Sequence, residues 1–500
     1  MTITHQHRLR KIRIESPGRR TLAAAVGFSA LLVTGCAGVG TPDPAVRPVA
    51  VPDAWAGAGG DLAAQPPEPG ELAAWWRRLD DPVLDDLVER TLLRNFDLEI
   101  GVTRLDEARA LRGLSRADLG PSVSATAGAG RSEALGDLAP STYRFSASVE
   151  ISWVADLFGA NRRAFEASQA DLEAEVENLR ALRASLAAET VAAYADLRVA
   201  QARLRVLDRS LESRVETSQL VNWREQAGLA SRLEVNQVLS QLDQARAGRP
   251  LNERAETDAR LRLHVLAGAT PGTLDELLAA PAEDPSMPEP PESIAVGIPA
   301  EALRQRPDVR AAERELEAAW ARLGTARADR LPKLQLTGSL DADSTELADV
   351  FDLDSLFANL LAGLTAPIFQ SGRIAEGIAV QEARWRRAAV AYESTVLGAL
   401  AEVEGALVAF RSARSRMASL DAASRAAAEA AELADQRYEA GLVDLLSVLD
   451  TEQTVFSSEE QLEIARGDLL TAFSTLYRAV GGGWNTEWNL DSEGEGDSDA

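Results

Sequence analysis

The sequence predicts a mainly α-helical fold with additional β-strands in a membrane, and three observations lead to this prediction. The chain contains one structural unit twice. Each copy contains a stretch of more than sixty residues without proline, and each contains two stretches in which apolar and polar residues alternate. Long proline-free stretches favour helices, and strict alternation favours strands with one apolar face.

The duplication is visible as residues that recur at a fixed spacing. The spacing is 211 positions in the first part of each copy and 213 further along. Examples are Asp97 and Asp308, Pro121 and Pro332, and Gly228 and Gly441. Solenoid repeats are much shorter, about 20–50 residues. We therefore predict two repeats, over residues 71–290 and 291–484.

The N-terminus has the pattern of a bacterial lipoprotein signal. Residues 1–35 contain a basic segment and then an apolar segment, and Cys36, the single cysteine of the chain, follows directly. In such signals the cysteine becomes the lipid-bearing N-terminus of the mature protein. The alternative is an ordinary secretory signal with a chance cysteine. We predict that Cys36 carries lipid. In this class of lipoprotein an aspartate after the cysteine would mark retention at the inner membrane, and this chain has Ala37 there, so we predict the outer membrane as the destination.

Two segments outside the repeats are expected to lack regular structure. Residues 36–70 are rich in Pro, Gly and Ala without periodicity, which is typical of an extended tether. Residues 485–500 form an acidic tail.

Composition excludes several classes of function. The formal net charge of −25 makes nucleic acid an improbable partner. Once the signal is removed, His264 is the sole histidine and Cys36 the sole thiol. Zinc sites and catalysis by histidine or cysteine therefore lack their side chains. We predict no enzyme activity, no metal site and no cofactor other than the covalent lipid.

Four helical stretches are predicted from periodicity and breakers. A helix over 82–117 must end before Pro121, and its counterpart over about 299–328 must end before Pro332. The long stretches 162–226 and 373–439 could each form a helix close to 100 Å long at about 1.5 Å per residue. Apolar residues at coiled-coil spacing support antiparallel coiled coils. These residues are Leu197, Ala200, Leu204, Leu207 and Leu211, and in the second repeat Phe410, Ala413, Met417 and Leu420.

Four strands are predicted where the period changes from 3.6 to 2. In residues 143–154 the odd positions are apolar and the even positions are polar, and residues 122–129, 333–340 and 356–364 repeat the pattern. Twelve strand residues at ~3.4 Å, tilted by ~45°, rise about 29 Å, which matches the hydrocarbon thickness of a bilayer. A soluble sheet packed on helices is the alternative.

Membrane strands must close into a barrel to satisfy their backbone groups, and four strands are too few. The barrel must then be shared between chains. Two chains would supply eight strands and three would supply twelve, and the strand pattern alone does not choose between them.

Several motifs resemble the TolC-like outer-membrane factor family, the NodT-type efflux lipoproteins of tripartite exporters. The resemblance covers about residues 71–484. In the second repeat it rests on the segments 306–313, 326–332, 367–373 and 479–484. In the first repeat it rests on Trp76, on Asp81 and Pro82, on Asn95 with Asp97 and Leu98, and on 156–163.

The resemblance implies the assembly and the function. It implies a homotrimer in which twelve strands form an outer-membrane β-barrel and twelve helices form a periplasmic α-barrel. It also implies that an inner-membrane pump and a periplasmic adaptor pass substrates to this passive duct. A type I protein-secretion duct, which uses the same architecture, and a lipid-anchored coiled-coil scaffold are the alternatives.

The resemblance also suggests two functional sites. Gly228 and Leu229, with their counterparts Gly441 and Leu442, match the periplasmic tips where the adaptor docks. The alternative is that the glycines only form the turns.

The second suggested site is a gate that narrows the lumen. Leu446 and Asp450 match the family's constricting positions, and Arg437 is the nearest candidate to neutralise Asp450. The first repeat has Leu233 and Gln237 at these positions, so any charged ring is expected from the second repeat. A solvated surface aspartate is the alternative.

Overall fold

The computed structural model describes most of both repeats. The described residues are 49–57, 62–63, 72–133, 142–280, 287–291 and 294–484. The predicted signal, the predicted lipidation site Cys36 and the predicted acidic tail lie outside them.

Eight helices and six strands make up the described part of the chain, apart from short 3₁₀ turns. The helices are α1 (Pro82–Arg94), α2 (Phe96–Ala117), α3 (Ala160–Gln226), α4 (Arg232–Leu266), α5 (Pro299–Gln305), α6 (Pro307–Ala328), α7 (Arg373–Glu439) and α8 (Leu445–Ala479). The strands are β1 (Leu62–Ala63), β2 (Ser122–Ser132), β3 (Thr142–Ala155), β4 (Ile294–Ala295), β5 (Lys333–Ser344) and β6 (Leu356–Thr365). None of the described helices combines the length and the apolar composition that crossing a membrane requires.

The four predicted strands form one antiparallel sheet. Its order is β2-β3-β5-β6, so β2 and β6 are the edges. The register places Val149 beside Leu340 and Ser148 beside Asp341. Since side chains alternate along a strand, the apolar positions share one face and most polar positions share the other. The predicted strands and their two faces are confirmed.

The sequence predicts one helix near the start of each repeat, but the structure has two helices in place of each, which corrects the prediction. The first breaks at Asn95 and the second at Arg306, two residues that occupy equivalent positions. Asn95 leaves the helical conformation at ψ 129° and its side-chain oxygen accepts hydrogen bonds from the N–H groups of Asp97 and Leu98. It therefore caps a second helix, a role that asparagine fills well. In the second repeat Pro307 favours an extended residue before it.

The two long helices are confirmed, and each is 67 residues long. Each begins after a glycine in the left-handed region, Gly159 at φ 77° and Gly372 at φ 86°. Towards the sheet, α2 packs on α3, α3 on α6, and α6 on α7. Farther from the sheet, where α2 and α6 no longer flank the long helices, α4 packs on α3, α3 on α8, and α8 on α7. In this layer α4 and α7 are therefore the outer helices.

The buried stripe of α3 differs from the predicted coiled-coil seam. Leu197 and Ala200 are buried as expected, but Leu204, Leu207 and Leu211 are only partly buried. The buried residues in this part of α3 are Val206, Ser210, Arg214, Ser218 and Val221. The stripe therefore becomes polar towards the turn that joins α3 to α4.

The main hydrophobic core lies where the two repeats meet. Trp75 is fully buried and its ring stacks on Tyr477 of α8, with centroids 5.4 Å apart. Phe473 contacts both rings. The N-terminus of the body is therefore held against the last helix of the second repeat.

Part of the segment predicted to be an extended tether packs on the body. The Trp55 side chain is 6% exposed and its Nε1–H donates to the Gly297 carbonyl at 3.1 Å. The N–H groups of Ala56 and Gly57 donate to the two carboxylate oxygens of Glu404 on α7, both at 2.7 Å. A Cβ at Gly57 would lie 2.8 Å from Glu404 Oε2, so only glycine fits this contact without displacement.

Candidate functional site at the helical tips

Both long helices end in the same turn. After α3, Gly228 has φ 70°, its N–H donates to the Glu225 carbonyl, and the N–H of Leu229 donates to the Arg224 carbonyl at 2.7 Å. These two bonds define a Schellman motif, which satisfies carbonyls at the end of a helix. No atom would lie within 4 Å of a Cβ at Gly228. Glycine is therefore favoured here by the backbone conformation and not by space.

The second tip repeats this geometry. Gly441 has φ 72°, its N–H donates to the Tyr438 carbonyl, and the N–H of Leu442 donates to the Arg437 carbonyl at 2.8 Å. The sequence-based prediction of a turn at each glycine is confirmed.

The helix that follows each turn is capped by a different residue. Ser231 and Glu234 form a reciprocal capping box at the start of α4. Hydrogen bonds from the main chain and side chain of Ser231 lower the pKa of the Glu234 carboxyl. Asp444 caps α8 by accepting from the side chain and the N–H of Ser447, and these bonds lower the pKa of Asp444. Both caps persist at neutral pH, because both carboxylates are ionised.

The predicted docking leucines protrude from the tips. Leu229 is 71% exposed and Leu442 is 75% exposed. Trp223, one turn before the first tip, is also largely exposed. An apolar side chain at the same place in both tips is a surface that another protein can cover.

The two tips are joined by a small hydrophobic cluster and one polar contact. Val221, Val238, Leu445 and Leu449 are buried against one another, and they form a cluster separate from the main core. Arg224 on α3 donates to the Tyr438 hydroxyl on α7 at 2.6 Å, and its guanidinium lies 5.1 Å from the centre of the Tyr438 ring. This contact holds the hairpin of the second repeat to α3.

The predicted gate residues lie on the first turns of α8. Leu446 is 55% exposed, and Asp450, four residues on, is exposed on the same face. Arg437 lies in the last turn of α7 and is exposed. Within the described part of one chain it forms no ion pair with Asp450. Neutralisation of Asp450 by Arg437 of another chain stays a prediction.

A buried basic residue, Arg214, and a half-buried acidic residue, Glu452, lie just above the tip cluster, and the sequence-based prediction missed them. Arg214 is 4% exposed. Glu452 accepts a hydrogen bond from Ser213 at 2.8 Å through Oε1, while its buried Oε2 has no hydrogen-bond partner among the described residues. Burial raises the pKa of Glu452, the Ser213 hydroxyl lowers it, and the charge of Asp435 raises it further. No motif marks these residues in the sequence.

The described residues contain no group of three or more histidine, cysteine, aspartate or glutamate side chains placed to hold a metal ion.

Comparison with known proteins identifies the family. The family model for outer membrane efflux proteins matches residues 87–269 and 298–482, which is most of the chain and falls within both repeats. The chain belongs to the outer membrane efflux protein family.

Individual relatives agree with this assignment. The chain is 33% identical over 470 residues to outer membrane protein OprJ of Pseudomonas aeruginosa, covering 92% of this chain and 96% of OprJ. It is 31% identical over 477 residues to the pyoverdine export outer membrane protein OpmQ of the same species, covering 92% and 97%. The solved structure of the outer-membrane channel OprN superposes with a TM-score of 0.80 at 32% identity, covering 89% of this chain and 99% of that one.

These comparisons confirm the TolC-like resemblance drawn from the motifs. They also confirm the fold class, a helical barrel with a β-domain, and the outer-membrane localisation. The protein is an outer-membrane channel of the efflux type.

Proposed function

We propose that three copies of this chain form the exit duct of a tripartite efflux system. Twelve strands form the barrel in the outer membrane, and twelve helices extend it into the periplasm. Substrates pass through passively, and the protein itself performs no chemistry. A lipid on Cys36 adds attachment to the membrane.

The observation that carries this proposal is the incomplete sheet. Strands β2 and β6 have no neighbour on their outer sides within the described chain. The apolar face is uncovered, with Val149 48% exposed, Ile151 44% and Leu360 89%. Unpaired strand edges are not tolerated in lipid, so the sheet must continue into other copies. Three sheets of four strands give the twelve that the family resemblance implies.

The tips supply the docking surface for a periplasmic adaptor. Leu229 and Leu442 are exposed at equivalent turns, and each is held in place by the Schellman motif before it. A rigid hairpin with an apolar residue at its end can insert into a complementary helical partner with little loss of conformational entropy. The inner-membrane pump then delivers substrates through that adaptor.

The gate closes the lumen at the level of Leu446 and Asp450. Both side chains are exposed in a single chain, so neither is needed to pack the hairpin. In a trimer each would be present three times around one axis. We assign the leucines to steric narrowing and the aspartates to a charged ring, with Arg437 of a neighbouring copy as the counter-ion.

The names of the relatives support a small-molecule substrate. They include pyoverdine export, solvent efflux, toluene efflux and antibiotic efflux. We propose that this chain likewise exports small toxic solutes, and not proteins.

The assembly is tested with the variant Cys36→Ser, which cannot be lipidated. We expect a detergent-stable trimer by native mass spectrometry, because the lipid attaches the protein and does not close the barrel. A folded, monodisperse monomer in detergent would contradict the proposal.

The docking surface is tested by changing both tips. Combining Leu229→Asp with Leu442→Asp should abolish export, measured as loss of resistance to a pump substrate, while the trimer still inserts. Replacing both leucines with methionine is the matched control and should preserve export. If export persists in the aspartate variant, the adaptor docks elsewhere on the protein.

A further inference from the structure

A single buried arginine joins three helices just above the tip cluster. Arg214 on α3 donates through Nε to Ser210 at 3.0 Å, through Nη1 to Gln241 on α4 at 2.9 Å, and through Nη2 to Gln453 on α8 at 2.6 Å. Only 4% of Arg214 is exposed to solvent. An arginine has five N–H donors, so two remain beyond these three bonds.

The charge of Arg214 is not balanced by a bonded anion. All three acceptors are neutral, and within the described residues Arg214 forms no ion pair. Burial lowers the pKa of the guanidinium, and the charge of Glu452 offsets this only in part. Glu452 itself is bound to Ser213. A buried cation without a paired anion is costly, although arginine stays protonated.

A cavity of about 280 Å³ lies beside Arg214, between α3, α4 and α8. Gln241 and Gln453 line it; Gln241 is half-buried and Gln453 is exposed, and their side-chain N–H₂ groups have no protein partner among the described residues. Glu460 also lines the cavity, but its carboxylate is paired with Arg203 at 2.7 Å, so its charge is already balanced. The wall around Arg214 therefore offers hydrogen-bond donors and a positive charge.

We propose that this cavity binds a small monovalent anion, chloride or a short carboxylate, between Arg214 and the side-chain amides of Gln241 and Gln453. The volume suffices for such an anion and a few waters, since a water occupies about 30 Å³ of liquid volume. The anion would complete the hydrogen bonding of a guanidinium held by neutral groups only.

The bound anion stabilises the contact between three helices at one level. The tip cluster of Val221, Val238, Leu445 and Leu449 lies below this level and is separate from the main core. Loss of the anion therefore favours local opening of the tips. This inference does not depend on which solute the channel exports or on where the adaptor docks.

The test is hydrogen–deuterium exchange of the detergent-solubilised protein in sodium chloride, sodium acetate and sodium gluconate at equal ionic strength. Gluconate is the larger reference anion. At an anion concentration nine times its Kd, exchange of amides in the tip hairpins should slow by roughly tenfold. Protection by chloride alone identifies a halide site, and protection by acetate alone identifies a carboxylate site. Equal exchange in all three salts would overturn the proposal.

The decisive variant is Gln453→Glu, which places a covalently attached carboxylate beside Arg214. It should protect the tips in gluconate and abolish the additional effect of chloride or acetate. Gln436→Glu, an exposed change on α7, is the matched control and should respond as the wild type does. In crystals soaked in bromide, an anomalous peak should lie next to Arg214 and be absent from the Gln453→Glu variant. An anion effect that persists unchanged in this variant would place the anion elsewhere and refute the site.

Discussion

Asn95 and Arg306 occupy equivalent positions in the two repeats, and each donates a side-chain hydrogen bond to the last carbonyl of the final helix of its own repeat. Asn95 Nδ2 lies 2.9 Å from the Leu266 carbonyl oxygen, and Arg306 Nη1 lies 2.5 Å from that of Ala479. Carbonyls at the end of a helix lack partners within the helix. The chain thus solves the same problem twice with different side chains.

The cap at Asn95 is the first prediction. Asn95→Ala removes the acceptor for two N–H groups at the start of α2 and leaves the Leu266 carbonyl without its donor. Loss of such a cap costs about 1–2 kcal/mol, so the Tm of the solubilised protein should fall. Thr103→Ala, an exposed change on the same helix, should leave the Tm nearly unchanged. A Tm equal to wild type for Asn95→Ala would show that the cap does not stabilise the native protein.

The contact between Arg224 and Tyr438 is the second prediction. Tyr438→Phe keeps the ring but removes the hydroxyl that accepts from Arg224, so the second-repeat hairpin should separate from α3 more often. A hydrogen bond from a charged donor contributes about 1.5–3 kcal/mol, which shifts an equilibrium by at least about tenfold, so we expect a higher open probability in single-channel recordings. Arg254→Ala, at an exposed position on α4, serves as the control. An unchanged open probability would remove this contact from the closing mechanism.

The ring of Asp450 is the third prediction. In the proposed trimer, three Asp450 carboxylates about 6 Å apart at an effective dielectric near 20 would repel by roughly 3 kcal/mol per pair. A divalent cation should relieve this repulsion and lower the single-channel conductance from the periplasmic side. Acidic pH should lower it too, because protonation of one carboxylate also reduces the repulsion. Asp450→Ala should abolish the cation block and still fold, while Leu446 limits the leak. Equal block in wild type and variant would show that Asp450 is a solvated surface residue.

The fourth prediction concerns the carboxyl of Glu452, a half-buried residue whose Oε2 atom is shielded from solvent. Its pKa in the folded protein is raised above the usual 4.5, chiefly by burial. The folded state therefore holds this proton more tightly than the unfolded state. The resulting stabilisation is fully present below pH 4.5 and is lost as the pH rises through the folded pKa. Asp435 and Arg214 are the charged groups that face it from α7 and α3.

Glu452→Gln should thus protect the tip amides from hydrogen exchange at pH 7, because a neutral amide can still accept from Ser213. At pH 4 wild type and variant should exchange at similar rates. Glu429→Gln, an exposed change on α7, is the control. The contrary result would be a variant that is more protected than wild type at pH 4 but not at pH 7. It would show that the pKa of Glu452 is not raised in the folded protein.

The sequence predicts those features that depend on local pattern. Alternation at Val149, Ile151 and their neighbours predicts the strands and their faces, and the absence of proline predicts α3 and α7. Gly228 and Gly441 predict the tips because only glycine adopts their backbone conformation without strain. Each of these signals involves residues a few positions apart.

The features that the sequence does not predict depend on contacts between distant residues. Asn95 lies in a helical pattern, and its role depends on Leu266, 171 positions away. The docking of Gly57 on Glu404 joins residues 347 positions apart. Arg214 was missed for the same reason, since its partners lie on three helices. A polar residue at a buried position has no periodic signature of its own.

The unpaired edges of the sheet bear on how the protein enters the membrane. As far as the described residues go, a single chain in lipid would expose the backbone groups of β2 and β6 along their outer sides. That cost forbids the insertion of one chain ahead of the others. In the proposed trimer, membrane entry and subunit association would therefore be a single event, and we expect its rate to rise more steeply than linearly with the concentration of newly exported chains. A cell that makes this protein slowly would hold unpaired chains in the periplasm, where the exposed edges invite aggregation and proteolysis.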